Sequence, residues 1–313
     1  MISNMSEPST KLPKHHYIPV FYLKQWRGTD GRVIEFSRPY KDQVKPRNVH
    51  PDGTGYVRGL YRMPGVADEH AEVIEKSFFA KVDDQAALAL QKLLKTDMNW
   101  SFELREFWTL FVLSMLMRSP ETVADAFSSI TRNLPKDWAR AQKQWEIDHP
   151  GEGPLGDYNP TVAKQYSLIA LRRFIANDEI GQLILNMVSG TIDLSQTPFR
   201  LVTSDRPIVM TNGLGYTDSH LAMPLSPTML FVAANTQQTM DSLVRMHPLP
   251  LTFVCNKTTV RRATKYVWAQ DHSHDELIMT EMSLDAGDPS MFAGERGPIV
   301  GKELVPLAKK IAV

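Results

Sequence analysis

Ser101-Phe-Glu-Leu-Arg-Glu-Phe-Trp-Thr-Leu-Phe-Val-Leu-Ser-Met-Leu-Met-Arg118-Ser119-Pro120 is the stretch on which the fold class turns. Ser101 and the residues after it have the form of a helix N-terminal cap, and Pro120 breaks or restarts the helix. Between them the chain is apolar almost all round, with no polar stripe for solvent. Such a helix has to be surrounded by other elements, so it is read as the centre of a helical core. The run at 107–117 is far shorter than the roughly 20 residues a membrane-crossing helix needs.

On its N-terminal side, residues 68–95 carry Val73, Phe78, Val82, Ala86, Leu90 and Leu93 at close to helical spacing, which predicts one long amphipathic helix. Before it, 33–36 and 59–62 are β-prone pieces between Gly, Pro and Asp, expected to form a small sheet or hairpin with long connections. On the C-terminal side a third helix is expected over 136–148, followed by the Pro- and Gly-rich loop at 149–160 and a further helix over 161–188. The pattern then turns to β at 199–203, 208–211 and 229–234, returns to helix at 236–247 and 251–262, and ends in a strand at 266–269. The fold class is therefore α+β: a small irregular β N-terminal region (15–66) behind a flexible lead-in (1–14), a central helical bundle (67–190), and a short-stranded sheet in the second half (191–313). One undivided domain over 15–313 is the other division considered.

With 313 residues the chain can bury a sizeable core, and its 35 Lys and Arg balance its 35 Asp and Glu. No global field then favours nucleic acid, membrane or acidic ligands, and any such preference must be local. The single Cys255 excludes an internal disulfide and a multi-cysteine metal site, which suits a reducing compartment. Residues 1–14 lack the apolar segment of a signal peptide. A soluble, cytoplasmic protein is expected.

The densest chemical text is His15-His16-Tyr17-Ile18-Pro19-Val20-Phe21-Tyr22-Leu23. Adjacent imidazoles can supply a metal ligand, a general base, or one of each. They are also common as plain surface residues near a chain end. His16 and Pro19 resemble the start of the ββα-metal nuclease motif, but Asn48 and His50 lie too far on to complete it. Around them the chain is locally basic: eleven Lys and Arg between Lys11 and Arg62 stand against Asp30, Glu35, Asp42 and Asp52. Tyr17, Phe21, Tyr22, Trp26, Phe36, Tyr40, Tyr56 and Tyr61 are interleaved, a mixture suited to single-stranded nucleic acid, or else a small core with a charged rim.

Further along, Asp68, Glu72 and Glu75 share one helical face near His70, which is either a set of oxygen ligands or a solvated face. Arg118 closes the apolar helix and needs a carboxylate, a phosphate or water, with a structural ion pair as the commoner partner. Thr203-Ser204-Asp205-Arg206-Pro207 puts Asp205 at a strand end, in a site or an ordinary turn. His272 and His274 form a weaker cation-binding candidate in a polar loop.

Taken together these positions resemble the bacterial family catalogued as domain of unknown function 4238. The resembling pieces are His15-His16-Tyr-Ile-Pro19 through Leu23, Glu72-Val-Ile-Glu75, Met117-Arg118-Ser119-Pro120, Leu201 through Pro207, and Met223-Pro224-Leu-Ser226-Pro227. The resemblance implies a prokaryotic-type soluble protein in which the histidine pair, the arginine and the Ser-Asp turn form one recurring arrangement. It implies no settled reaction. Arg206 stands where Asn is usual, and Ser119 where Thr often stands.

The expectation is a metal-assisted phosphodiester hydrolase acting on nucleic acid through the basic region at 11–62. His15 and His16 would serve as ligand and base, Glu75 and Asp205 as further ligands or acid–base groups, and Arg118 as the phosphate stabiliser. Tyr17, Tyr22, Arg118 and Ser204 would contact substrate, and magnesium, manganese or zinc would be the metal. The rival is a non-catalytic binding or regulatory protein in which His16 bonds Asp205 as a strut. Hydrolysis of a small nucleotide or another ester is the third reading.

Overall fold

The structure, a computed structural model, describes residues 12–40, 43–154, 159–211 and 213–282. Among the described residues the chain begins with β1 (Lys14–His16), the short helix α1 (Val20–Leu23), β2 (Val33–Tyr40), β3 (Gln43–Val49) and β4 (Tyr56–Arg58). The segment expected as one long helix is helical but interrupted: α2 (Asp68–Ala71), a π-helical turn at Glu75–Phe79, and α3 (Ala80–Leu93). Glu72 departs from helical geometry at φ −101°, ψ 14°, so Asp68, Glu72 and Glu75 do not share one continuous helical face.

The central helix is α4 (Phe102–Met117), capped as its sequence indicates: Ser101 Oγ accepts from the Leu104 N–H at 3.2 Å. Trp108, Phe111, Val112, Leu113, Met115 and Met117 are all buried. Pro120 does not end the helical text but starts α5 (Pro120–Asp148), where Ser119 Oγ accepts from the Thr122 N–H at 3.2 Å and the missing proline donor costs nothing at the first turn. The third helix thus begins sixteen residues before the expected 136, since 136 − 120 = 16. Pro135 in its interior and the polar Ser, Thr and Asn around it hide this helix from a periodicity reading. The helix expected over 161–188 is two, α6 (Pro160–Ile175) and α7 (Asp178–Leu185), because Asn177 inserts its side chain and caps Ile180 at 3.0 Å.

The second half continues with β5 (Val188–Asp193), β6 (Thr203–Ser204), β7 (Val209–Met210), β8 (His220–Ser226), β9 (Met229–Ala234), α8 (Gln237–Val244), α9 (Pro248–Arg262), β10 (Val267–Ala269) and α10 (Asp275–Glu281). The strand expected at 199–203 survives only as the two residues of β6, and 59–62 forms turn rather than strand. Strand β8 escaped sequence reading because Pro224 lies inside it, a residue that argues against a central strand.

Among the described residues three sheets result: β1-β4; β3-β2-β10-β6; and β5-β9-β8-β7, with every pairing antiparallel. The N-terminal hairpin β2-β3 therefore does not close its own sheet. It takes β10 alongside, with Trp268 opposite Glu35, and β6 beyond that. One apolar core joins Tyr17, Tyr22 and Trp26 to Phe79 and Leu90, to Phe111 of α4, and to Met223, Phe231 and Trp268. Buried polar bonds cross the same seam: Trp26 Nε1 donates to the Leu201 carbonyl at 2.8 Å, and the Tyr22 hydroxyl to the Pro224 carbonyl at 2.6 Å. No helix among the described residues is long and apolar enough to cross a membrane.

Candidate functional site

The twin histidines leave β1 toward opposite environments, as alternation along a strand requires. His15 is buried at 1 % exposure. The Tyr61 backbone N–H donates to its Nδ1 at 2.9 Å, so the ring proton sits on Nε2 and is donated to Glu72 Oε2 at 2.5 Å. The ring lies parallel to that of Tyr61, with centroids 5.6 Å apart. Burial lowers its pKa despite Glu72, and the second Glu72 oxygen accepts from Arg62 Nη1 at 2.6 Å. Arg62 also pairs with Asp68. His15 is thereby a fully engaged strut between the N-terminal strand and the first helical turn.

His16 is only half-buried, and its Nε2 is buried without a hydrogen-bond partner. Burial lowers this imidazole's pKa, opposed by a hydrogen bond to the Asp52 backbone; the charges of Lys14 and Arg118 lower it further. A neutral ring with one nitrogen on a carbonyl and the other free is the form that accepts a proton or binds a metal. Tyr56 lies beside it, ring centroids 5.4 Å apart, with Lys14 Nζ 4.5 Å over the Tyr56 ring.

Arg118, fully buried at 0 %, forms the second part of the site. Its Nη1 pairs with Asp83 at 2.9 Å, its Nη2 meets Met115 Sδ at 2.9 Å, and Phe79 and Phe111 cover it at 5.7 and 5.6 Å. The Tyr61 hydroxyl donates to the Arg118 carbonyl at 2.5 Å. Its Nε has no partner, and neither has the buried Oε2 of Glu75. Burial pushes the Glu75 carboxyl up to about 7, although the Arg118 charge pulls it down, so this acid titrates near neutrality. Asp83 is raised for the same first reason. His16 and Glu75 both lie within the electrostatic reach of Arg118.

Asp205 is bound to the backbone. Its carboxylate accepts from the backbone N–H groups of Thr264, Lys265 and Tyr266 at 2.9, 2.6 and 3.0 Å, tying the turn that leads into β10. Burial raises its pKa to about 6 against the pull of these three donors. The strut expected between His16 and Asp205 is instead His15 with Glu72, because the strand turns His15 rather than His16 toward the carboxylate. Of the expected substrate contacts, Ser204 Oγ accepts from the Arg206 N–H at 3.2 Å, Tyr22 spends its hydroxyl on Thr203 and Pro224, and Tyr17 is 3 % exposed.

The aromatic residues of the basic region divide in the same way. Tyr17, Tyr22, Trp26, Phe36 and Tyr61 are core, while Tyr40 is 73 % exposed and Tyr56 half-buried beside Lys14 and Arg58. His272 pairs with Asp275 at 3.0 Å, and His274 is buried beside Asn256. Residues Lys41 and Asp42 of the basic count lie outside the described residues, as does Lys11. Among the described residues no three His, Cys, Asp or Glu side chains are grouped to hold a metal ion. The groups that sequence reasoning missed are Asp83 and Tyr61: only the spacing of a buried arginine from an acid on the neighbouring helix could have signalled the first, and nothing local signals the second.

A family model described as a protein of unknown function (DUF4238) matches residues 14–273. No curated protein and no solved structure matches the chain.

Proposed function

We propose that this chain, which belongs to the family of proteins of unknown function DUF4238, hydrolyses phosphodiester bonds at the centre formed by His16, Glu75 and Arg118. The observation that carries the reading is that His16 Nε2, Glu75 Oε2 and Arg118 Nε are all buried without partners, and that the Arg118 charge acts on both His16 and Glu75. Buried polar atoms are normally satisfied, and departures concentrate where chemistry is done. In the proposed reaction water attacks phosphorus while its proton passes to His16 Nε2. The leaving alkoxide takes the proton held by Glu75, and the fixed charge of Arg118 offsets the negative charge gathering on the phosphoryl oxygens.

A divalent cation has a place in the same proposal. Glu75 would supply the protein donor and substrate phosphate and water the rest, an arrangement magnesium commonly adopts, with His16 Nε2 left free as the base. The cation would then compete with the Glu75 proton. Nucleic acid is the proposed substrate class, supported by Lys14, Arg58 and Tyr56 beside His16. A cytoplasmic setting is part of the reading, supported by the single buried Cys255.

A different observation favours a second reading. Both His15 nitrogens are spent on structure, which supports a non-catalytic binding protein whose motif residues only clamp the fold.

One experiment separates them. Purified protein is incubated with single- and double-stranded DNA and RNA and with small nucleotide esters, in magnesium, manganese, zinc or EDTA, beside His16→Ala and Glu75→Gln. Cleavage lost in both variants with no fall in melting temperature supports hydrolysis, with EDTA reporting on the cation. Turnover of small esters alone moves the substrate class to small nucleotides. Wild-type protein inert on every substrate leaves the binding reading.

A further inference from the structure

A small concavity opens beside Ser119. It is lined by Met115, Leu116, Ser119, Thr122, Arg206, Ile208 and Arg262 and encloses about 30 Å³, room for a group of a few atoms, since one water needs about 10–15 Å³. The two family motifs around Arg118 and Asp205 meet here. Two guanidiniums face the same space from different elements: Arg206 from the turn after β6, and Arg262 from the last turn of α9.

Like charges brought together normally have an acid between them. Among the described residues neither arginine has a carboxylate within ion-pair distance, and Arg206 Nη2 is buried with no hydrogen-bond partner at all. Arg262 is exposed over much of its length, but desolvation of its charged end and then the Arg206 charge lower its pKa. Ser119 and Thr122, their hydroxyls 3.0 Å apart, line the same space at the start of the 29-residue α5, whose dipole adds positive potential.

We propose that this concavity is an anion site for a single phosphate group, held by Arg206 and Arg262 with Ser119 and Thr122 as the hydroxyl partners. Planar guanidinium forks match phosphate oxygens, and the small interior admits one oxyanion group while any remainder of the ligand stays outside. The site is independent of the hydrolase reading, since it uses none of His16, Glu75 or the Arg118 guanidinium.

The test is thermal unfolding and calorimetric titration of the full chain with inorganic phosphate at constant ionic strength, with chloride as control and with acetate and a nucleoside monophosphate as further arms. Arg206→Gln, Arg262→Gln and the distant control Arg173→Gln are compared. Phosphate should raise the melting temperature of the wild type and of Arg173→Gln by several degrees, and of the two site variants by less than one degree. In the absence of phosphate, Arg262→Gln should melt at or above the wild type, because one of two opposed charges is gone. An equal response to acetate would overturn the choice of phosphate. No phosphate response in the wild type, or an equal one in the site variants, overturns the site. A nucleoside monophosphate binding more tightly than free phosphate would identify the source as a phosphate ester.

Discussion

His15 Nε2 and Glu72 Oε2 meet at 2.5 Å across 57 residues of chain, with the other nitrogen of the same ring closed by the Tyr61 backbone N–H. This bond fastens the start of the β1-β4 ribbon to the break between α2 and the π-helical turn. Replacing His15 with Ala leaves Glu72 and the Tyr61 donor short of partners in a buried setting, and should cost about 2–4 kcal/mol in urea unfolding. In the double-mutant cycle with Glu72→Ala the coupling should reach about 1.5–3 kcal/mol. A coupling near zero would remove the strut.

Arg118 and Asp83 behave as one buried unit. Asp83→Ala strands a guanidinium with no exposure and should destabilise by about 3–5 kcal/mol. Replacing both partners with apolar residues, Arg118→Met with Asp83→Leu, should recover much of that loss. The comparison is read from unfolding midpoints; a double variant worse than the single would show that the pair itself stabilises the fold.

Acid dependence has two opposed parts. Glu75, raised to about 7 from 4.5, holds a proton in the folded state that the unfolded chain gives up, so its contribution is present below about 4.5 and is lost as pH rises to 7. His15, His16 and His274 are lowered, so each contributes stability above the ordinary histidine value of 6.5 that is lost as pH falls. Glu75→Gln should therefore gain on the order of 1–3 kcal/mol relative to wild type at pH 8 compared with pH 4.5. Parallel stability–pH curves for the two proteins would count against a raised Glu75.

Gly55 sits at φ +63°, and its carbonyl accepts from both Tyr17 N–H at 3.0 Å and Ile18 N–H at 3.1 Å. A Cβ there would stand 3.2 Å from Ile18 Cβ and 3.3 Å from the Ile18 carbonyl oxygen. Gly55→Ala should cost about 1–3 kcal/mol through the left-handed backbone and this contact. Circular dichroism melts would show it, and an unchanged midpoint would mean that the turn re-forms with negative φ.

Much of this architecture was legible because single residues declare it. Ser101 and the uninterrupted apolar text after it announce α4, and Arg118 at its end announces the need for a buried counter-charge. The partner, Asp83, was not legible: it is one of two adjacent acids on α3, and only packing brings it to Arg118. The histidine pair drew attention as chemistry, yet one ring does structural work and the other stays open, a difference set by the alternation of β1 and invisible in two identical letters. The backbone role of Asp205 was invisible in the same way, since a carboxylate at a strand end looks alike whether it faces a ligand or three backbone amides 59–61 residues away. Strand β8 and the first half of α5 were concealed by Pro224 and Pro135, residues that in a sequence argue against a strand interior and a helix interior.

The position of β10 between β2 and β6 has a consequence for biosynthesis. A ribosome that has delivered the hairpin at residues 33–49 must add more than two hundred further residues, 267 − 49 = 218, before the strand that seals it emerges. Until then the nascent hairpin carries a bare edge rich in Val, Ile and Phe, the kind of edge that recruits other chains. Release from the ribosome before residue 269 should yield insoluble product, whereas truncation after residue 282 leaves that closing strand in place.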